Sequence, residues 1–234
     1  MKKIVIVLVV ACVALWGGLA FAGEKVEVEA GVKAWYNEWT SNDPLVTKTE
    51  WDASLLVGPA VEVKFPSHIF IEASYLMSVT DYTSTFYLHK LTANRKDLDL
   101  AVGYDFTPSF SAFAGYKNVS TDWDMDLNGP IIDSGSIDLA GPMAGIRGRF
   151  ALNDTFSIYG NATYLFTKAE SKSRYVATKK EDAPGTIFEL GAKAAFNKQL
   201  SATLGYKVES TKEDNTNIKD TFSGFTLGVM YAFE

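Results

Sequence analysis

The feature that most constrains this chain is a two-residue alternation of apolar and polar side chains, which recurs in segment after segment beyond residue 25. Between Val26 and Tyr36 every even-numbered residue is apolar, whereas the odd positions include Glu27, Glu29 and Lys33. Because side chains alternate between the two faces of a β-strand, this period predicts strands with one apolar and one polar face. Ten such strands are predicted, at residues 26–36, 51–65, 69–79, 97–106, 110–117, 137–150, 156–166, 187–196, 200–209 and 225–233.

The connections between these segments alternate in length. Longer polar loops follow the odd-numbered strands. Short turns follow the even-numbered strands, at residues 66–68, 107–109, 152–154 and 197–199. Outer-membrane barrels have short periplasmic turns and longer outer loops, and an even strand number leaves both termini in the periplasm. The sixth segment is the least regular, because Pro142 cannot donate to a sheet ladder, and we expect a β-bulge there.

The charges of the predicted strands fall on the face that also carries glycine, serine and threonine. A soluble barrel points its charges outward into water, whereas a barrel in lipid points its apolar face outward. We therefore predict an all-β fold, an antiparallel transmembrane up-and-down β-barrel of about ten strands. The predicted lumen charges are Glu27, Lys33, Glu62, Lys64, Glu72, Asp99, Asp105, Lys117, Arg147, Arg149, Glu189, Lys193, Lys207 and Glu209.

Aromatic residues flank the apolar face at both ends of the predicted strands. Phenylalanines lie beside the short turns, and the side toward the longer loops carries Tyr36, Trp51, Tyr75, Tyr116 and Tyr164. Two aromatic girdles around an apolar band are typical of the two lipid interfaces. A soluble β-sandwich stays open as an alternative, as does a barrel of eight strands, but a sandwich does not explain the paired girdles.

The N-terminal segment has the parts of a secretory signal peptide. Two lysines precede an uncharged apolar stretch, and Ala20 and Ala22 supply small residues where a signal peptidase cleaves. We assign residues 1–22 to a signal peptide and residues 23–234 to the barrel. An uncleaved membrane anchor and a lipoprotein signal ending at Cys12 are the alternatives.

Removal of this segment changes what the mature chain can bind. Cys12 is the only cysteine, so the mature chain has no disulfide and no cysteine metal site. Of the 22 basic residues 20 remain, against 28 acidic ones, which gives a net charge of −8. That balance disfavours nucleic acid as a partner. Since no phosphate-binding glycine loop or nucleotide motif occurs either, we expect no cofactor.

The last predicted strand and two hairpins resemble known outer-membrane barrels. Phe225–Phe233 alternates apolar residues and closes with aromatics, like the C-terminal signal of such barrels, although Glu234 follows the final Phe. Residues 101–116 and 191–206 are similar to hairpins of the OmpA/Opa-like superfamily of small barrels. The resemblance implies a bacterial outer-membrane location, with lipid, lipopolysaccharide and the barrel assembly machinery as partners. It says little about activity.

The predicted barrel is narrow. Barrels of about eight strands are filled by side chains, and wide aqueous channels appear at about 16 strands. With charges of both signs on the lumen face, we expect an interior plugged by ion pairs. The leading hypothesis is a non-enzymatic barrel with a structural or surface-interaction role whose outer ligand is unknown. A narrow, porin-like channel for small solutes is the alternative.

The third long loop carries alternating carboxylates. Asp122, Asp124 and Asp126 resemble the oxygen-rich spacing of calcium loops, although Leu127 occupies the position where such loops have glycine. These three residues are the candidate metal ligands, and a solvated loop is the simpler explanation.

The fourth long loop is basic. Its candidates for contact with lipopolysaccharide phosphates are Lys172, Arg174, Lys179 and Lys180, since cationic groups favour anionic headgroups. Ordinary solvated charge is the alternative explanation.

Catalysis has few candidate residues. Barrel proteases of the omptin kind and barrel lipid A deacylases both need histidine, and the chain has two. His68 lies in a short turn, whereas His89 lies beside the second long loop, near Asp81 and Ser84 in sequence. General base chemistry needs a positioned partner, and the sequence identifies none. We therefore predict a non-enzyme, with a rim hydrolase built on His89 as the third hypothesis.

Overall fold

The computed structural model describes residues 26–44, 48–86, 89–127, 129–175 and 177–233; the segment assigned to a signal peptide lies outside them. No helix in these ranges is long and apolar enough to cross a membrane. The described chain forms thirteen strands: β1 (Glu27–Asn42), β2 (Lys48–Lys64), β3 (Ile69–Ser78), β4 (Tyr82–Phe86), β5 (His89–Thr107), β6 (Phe110–Leu127), β7 (Ile131–Ala151), β8 (Phe156–Leu165), β9 (Lys168–Ser173), β10 (Lys179–Asp182), β11 (Gly185–Ala195), β12 (Leu200–Lys212) and β13 (Lys219–Phe233).

These strands close into one antiparallel barrel with ten positions around its circumference. β1 pairs with β2 on one side and with β13 on the other, so the sheet has no free edge where it closes. Three positions are each shared by two consecutive strands, β3 with β4, β8 with β9 and β10 with β11. The ten-strand antiparallel barrel predicted from the alternation is confirmed, and the sandwich and the eight-strand barrel are excluded.

The strands run much further than predicted at one end of the barrel. β5, β6 and β7 contain 19, 18 and 21 residues, so most residues expected in long polar loops continue the strands instead. Beyond the lipid band the outward face becomes polar, while apolar side chains such as Trp39 and Phe222 lie on the inward face. The alternation that marks the lipid-facing segments therefore ends there, although the backbone pairing continues. We call this the hairpin end, and the opposite end, which has the four predicted short turns, the turn end.

The expected bulge at Pro142 is absent, because β7 passes this residue without a register shift against β6. On its other side Pro142 lies where the neighbouring strand changes from β9 to β8, at residues 166–167. The Pro142 carbonyl accepts the Phe166 backbone N–H at 2.9 Å. Proline has no backbone N–H to donate to this neighbouring strand. Because the strand pairing already breaks between β9 and β8 at this point, β7 needs no bulge to accommodate Pro142.

A register shift that the sequence did not predict lies between β1 and β2. Asn37 pairs with Ser54 but Trp39 pairs with Trp51, so β2 carries one extra residue, as in a β-bulge. The extra residue turns Trp51 into the lumen, where its ring stacks on Trp39 with 4.3 Å between the centroids. The prediction that Trp51 belongs to the outer girdle is therefore wrong.

The outer face of the barrel is the apolar surface that the alternation predicted. Large apolar side chains are exposed at every strand position except that of β2, and they include Val32, Leu190 and Leu227. Aromatic rings on this face pack edge to face, for example Phe110 on Phe150 with 5.2 Å between centroids. An exposed apolar band with aromatic edges is suited to lipid and unsuited to water.

Candidate functional site

The hairpin half of the lumen contains a buried cluster of charges centred on Arg95. Because side chains alternate along β5, Arg95, Asp97 and Asp99 all point inward. Arg95 donates to Asp97 at 2.6 and 2.8 Å and to Glu209 of β12 at 2.5 Å. Lys117 of β6 contacts Asp99 at 3.0 Å, Glu209 at 3.3 Å and Asp97 at 3.6 Å. The cluster thus links β5, β6 and β12 across the lumen.

Aromatic rings cover this cluster. The Arg95 guanidinium carbon lies 4.0 Å from the Phe222 ring centroid and 5.3 Å from that of Trp35, which are cation–π distances. Trp39 stacks on Phe222 with 5.2 Å between centroids, and the Tyr82 hydroxyl donates to Asn37 at 2.7 Å. We call this layer, Arg95 with its ionic partners and these rings, the septum. Its side chains are almost wholly buried, and the cavity beside them has a volume of only about 40 Å³.

The turn half of the lumen is more open and contains a cavity of about 230 Å³. Glu72 accepts a bond from Lys33 at 2.9 Å and contacts Arg147, which also donates to Glu62 at 2.8 Å. The Lys33 side chain is 38% exposed although it lies inside the barrel, because it borders this cavity. These charges are therefore paired but accessible to water-sized molecules.

One carboxylate of this cavity is held by neutral donors. Glu189 accepts bonds from the Tyr159 hydroxyl at 2.9 Å, the Thr226 hydroxyl at 2.8 Å and the Asn161 amide at 3.4 Å. No cation of the described residues lies within 4.0 Å of it. The hydrogen bonds offset the cost of burying its charge and hold it in one orientation.

The structure places most of the predicted lumen charges in ion pairs. Within the described ranges the paired ones are Lys33, Glu62, Lys64, Glu72, Asp99, Lys117, Arg147, Lys193, Lys207 and Glu209. Of the other four, Glu189 has the neutral donors above and Arg149 lines the cavity. Glu27 is exposed and Asp105 is partly buried near the turn end, both outside any described ion pair.

Sequence reasoning missed the centre of the septum. Arg95 lies two residues before the predicted start of the fourth strand, whereas the alternation already places Asp97 on the charged face of that strand. The available signal was the continuing alternation of charge at residues 95, 97 and 99, which extends the inward face beyond the apolar part of the strand.

The candidate calcium ligands do not converge. Asp122, Asp124 and Asp126 lie on β6 rather than in a loop, and alternate residues of a strand are about 6.7 Å apart. Asp122 contacts Lys96 of β5 at 2.9 Å. Among the described residues no group of three or more His, Cys, Asp or Glu side chains could hold a metal ion.

The predicted lipopolysaccharide contacts lie mostly on strands, and most are ion-paired. Lys172 and Lys180 both contact Glu170, at 3.0 and 2.6 Å. Lys179 contacts the neighbouring carboxylate of β10 at 2.6 Å. Arg174 is exposed and has no ion pair in the part of the chain described here.

The histidines lie apart from possible catalytic partners. His89 begins β5, whereas Asp81 is hydrogen-bonded to Asn94, about 17 Å further along that strand. Ser84 donates its hydroxyl to a backbone carbonyl of β2 at 2.8 Å. His68 lies in a short turn at the turn end, with φ of 64°. The structure therefore does not bring His89 together with either residue near it in sequence.

Two carboxyl groups at the hairpin end interact and titrate differently. Burial raises the pKa of Glu213 to about 6, and the neighbouring Glu181 adds to this shift. Burial also opposes ionisation of Glu181, but Lys179 and the Asn215 backbone N–H lower the pKa of Glu181 below its ordinary value. Both groups lie beyond the lipid-facing part of the barrel.

The closed sheet, the apolar outer face and the ion-paired lumen define a transmembrane β-barrel. The chain belongs to the outer membrane protein beta-barrel domain family, whose model matches residues 92–233, more than half of its length. It is therefore a protein of the bacterial outer membrane.

Solved structures with similar folds have little sequence in common with this chain. The outer membrane protease OmpT from Escherichia coli superposes with a TM-score of 0.60 at 10% identity, covering 92% of this chain and 99% of that one. The translocator domain of autotransporter NalP from Neisseria meningitidis gives 0.50 at 11% identity, covering 94% and 92%. The attachment invasion locus protein Ail of Yersinia pestis gives 0.42 at 13% identity, covering 88% and 99%. No curated protein matches the sequence. At these identities the likeness to OmpT and to the NalP translocator domain shows the fold alone.

Proposed function

We propose that this protein is a non-enzymatic structural or surface-interaction barrel whose lumen does not conduct ions. The septum is the observation that carries the proposal. Arg95 and Lys117 are 1% and 0% exposed, and their carboxylate partners come from β5 and β12. Moving such charges apart would leave them unpaired in a low-dielectric interior, which is costly. The septum therefore favours a closed lumen over a pore.

The proposed orientation places the turn end and both termini in the periplasm and the hairpin end outside the cell. The short turns, the longer opposite strands and the family support it. Outer-membrane lipid and lipopolysaccharide are the proposed partners, and the barrel assembly machinery would engage β13, which closes the barrel on β1. Among the predicted basic contacts, Arg174 is the one we propose on the β9–β10 side, because it has no described ion pair.

The absence of catalysis is also part of this proposal. The separation of His89 from Asp81, with the Ser84 hydroxyl bonded to a backbone carbonyl, supports it. A His89→Ala variant that retains any measured hydrolysis would remove the rim hydrolase as an explanation of that activity.

Conductance of the purified barrel in planar lipid bilayers tests the closed lumen. We expect no steady single-channel current from the wild type. The variant Arg95→Ala/Phe222→Ala removes the centre of the septum and serves as the positive control, in which we expect a steady current. Leu190→Ala, on the outer face, is the matched negative control. Steady currents from the wild type would overturn the proposal.

The second candidate function is a narrow channel for small solutes. The cavity of about 230 Å³ favours it, because the turn half of the lumen is already lined by accessible charges. The septum would then act as a gate. The test compares the wild type with the single variant Lys33→Met, which leaves Arg95 in place. A current through the wild type that is lost in Lys33→Met would support the channel over the closed barrel.

A further inference from the structure

The exposed lysines of the hairpin end differ in their partners. On β9 and β10 they face carboxylates, for example Lys168 with Asp182 at 3.1 Å. On β12 and β13 the last pair before the connecting loop is Lys212 directly opposite Lys219. Both are exposed, and neither lies within 4.0 Å of a carboxylate of the described residues. Two like charges thus face each other across neighbouring strands.

This pair belongs to a longer row across four adjacent strands. Lys219 is also the register partner of Asn42 on β1, and Asn42 pairs in turn with Lys48 on β2. All four side chains are exposed on the outer face of the barrel. Lys48 contacts Glu50, but both side chains are more than half exposed, and such pairs contribute little. We call Lys48, Lys212 and Lys219 the lysine row.

The lysine row is unfavourable for the isolated barrel. Like charges directly opposite each other in an antiparallel sheet destabilise it, by an amount comparable to what opposite charges contribute there. No carboxylate of the described chain relieves the repulsion between Lys212 and Lys219. An anion bound from outside would relieve it, so the row has the chemistry of a phosphate-binding surface.

The height of the row indicates where that anion lies. On the same strands the last lipid-facing aromatics are Tyr36, Tyr206 and Phe225, six residues nearer the turn end. Six residues span about 20 Å along a strand, or about 15 Å along the barrel axis for a strand tilted by about 40°. This level lies beyond the acyl chains and within the sugar–phosphate layer of an outer leaflet.

We propose that the lysine row binds phosphate groups of lipopolysaccharide. This inference rests on the proposed orientation, with the hairpin end outside the cell. The row faces the lipid side of the wall rather than the lumen, so its anion comes from the surrounding leaflet. It is independent of Arg174, which follows β9, two strand positions from β12.

Thermal unfolding of the detergent-solubilised barrel, followed by gel migration, tests the proposal with and without added lipopolysaccharide. The variant is Lys212→Gln/Lys219→Gln, and the matched control is Lys168→Gln/Lys180→Gln, which removes the same charge from paired lysines. We expect the variant to bind lipopolysaccharide about tenfold or more weakly than the wild type. Without lipopolysaccharide we expect its unfolding temperature to equal or exceed that of the wild type, because the repulsion is gone.

The outcomes separate a site from net charge and from other anions. A variant that keeps the full lipopolysaccharide-dependent shift, or a control that loses as much as the variant, would overturn the proposal. Dephosphorylated lipopolysaccharide should stabilise the wild type and the variant equally. Soluble polyphosphate that stabilises the wild type as well as lipopolysaccharide does would assign the row to a soluble polyanion instead. None of these measurements depends on conductance. They therefore test the lysine row independently of the proposal that the lumen is closed.

Discussion

Both halves of the lumen carry charged side chains at alternate strand positions, but these side chains differ in their exposure to solvent. In the hairpin half, the side chains of Arg95 and Lys117 are only 1% and 0% exposed, and aromatic rings pack around the cluster. In the turn half, Lys33 and Arg147 have comparable ionic partners but remain 38% and 20% exposed. An ion-paired lumen is therefore not by itself a sealed one. Whether charges seal the barrel depends on the neutral side chains packed around them.

Small residues lie beside the one large ring that projects from β8 into the cavity of the turn half. A Cβ at Gly191 would lie 2.7 Å from the Tyr159 ring, and one at Gly205 would lie 2.6 Å from the Tyr159 hydroxyl. These glycines make room for one large side chain, and the neighbouring inward positions carry Thr203 and Thr226. The hairpin half instead brings together four large aromatic rings, which leave little space.

The largest expected effect is the loss of Arg95. Arg95→Ala leaves Asp97 and Glu209 buried with one cation fewer, and we expect it to destabilise the barrel by about 3–5 kcal/mol. Denaturant unfolding in lipid vesicles, followed by tryptophan fluorescence, measures this change. Arg149→Ala is the matched control, since Arg149 borders the cavity and has no described ion pair. Equal destabilisation by the two variants would contradict the contrast between the halves.

A smaller effect is expected from the ionic network of the turn half. Glu72→Gln removes one of the two carboxylates that contact Arg147 and the only described partner of Lys33. Because water reaches these groups, we expect a loss of about 1 kcal/mol, well below that for Arg95. The same unfolding measurement applies. A loss as large as that for Arg95→Ala would show that the turn half is as dry as the septum.

The smallest expected effect is a pH dependence at the hairpin end. The pKa of Glu213 rises from 4.5 to about 6 on folding, so the fold favours its protonated form. The resulting penalty is absent below pH 4.5 and develops as pH rises through 6. We therefore expect Glu213→Gln to protect the amides of residues 213–218 against hydrogen exchange near neutral pH, by up to about 1 kcal/mol after solvent screening.

At low pH the same substitution should have no effect, because the wild-type carboxyl is already neutral there. Glu181→Gln is a useful comparison, since it removes the ionic partner of Lys179 as well as the neighbour of Glu213. Protection by Glu213→Gln that is independent of pH would contradict the role of this carboxyl group.

The sequence predicted the barrel better than it predicted the septum. Apolar alternation marks the lipid-facing segments, so the ten strands and their outward face were predictable. Above the lipid band the outward positions of β5 are polar, so the part of this strand that holds Arg95 lacks the outward apolar pattern that marked the other strands. The prediction for Trp51 was wrong because one extra residue in β2 moves this side chain to the other face of the strand. No glycine or proline at residues 51–54 indicates the shift. Lys212 and Lys219 lie opposite each other because of the register between β12 and β13. The sequence alone does not specify this register.

The unusual length of β5, β6 and β7 has a consequence for recognition at the hairpin end. β7 alone would extend about 50 Å along the axis, roughly twice the apolar band of such barrels. The part of the described chain that projects beyond the apolar band is thus a hydrogen-bonded wall of paired strands. A partner that docks on this wall orders little additional backbone, so the loss of conformational entropy on binding is small. A smaller contact area is then sufficient for a given affinity.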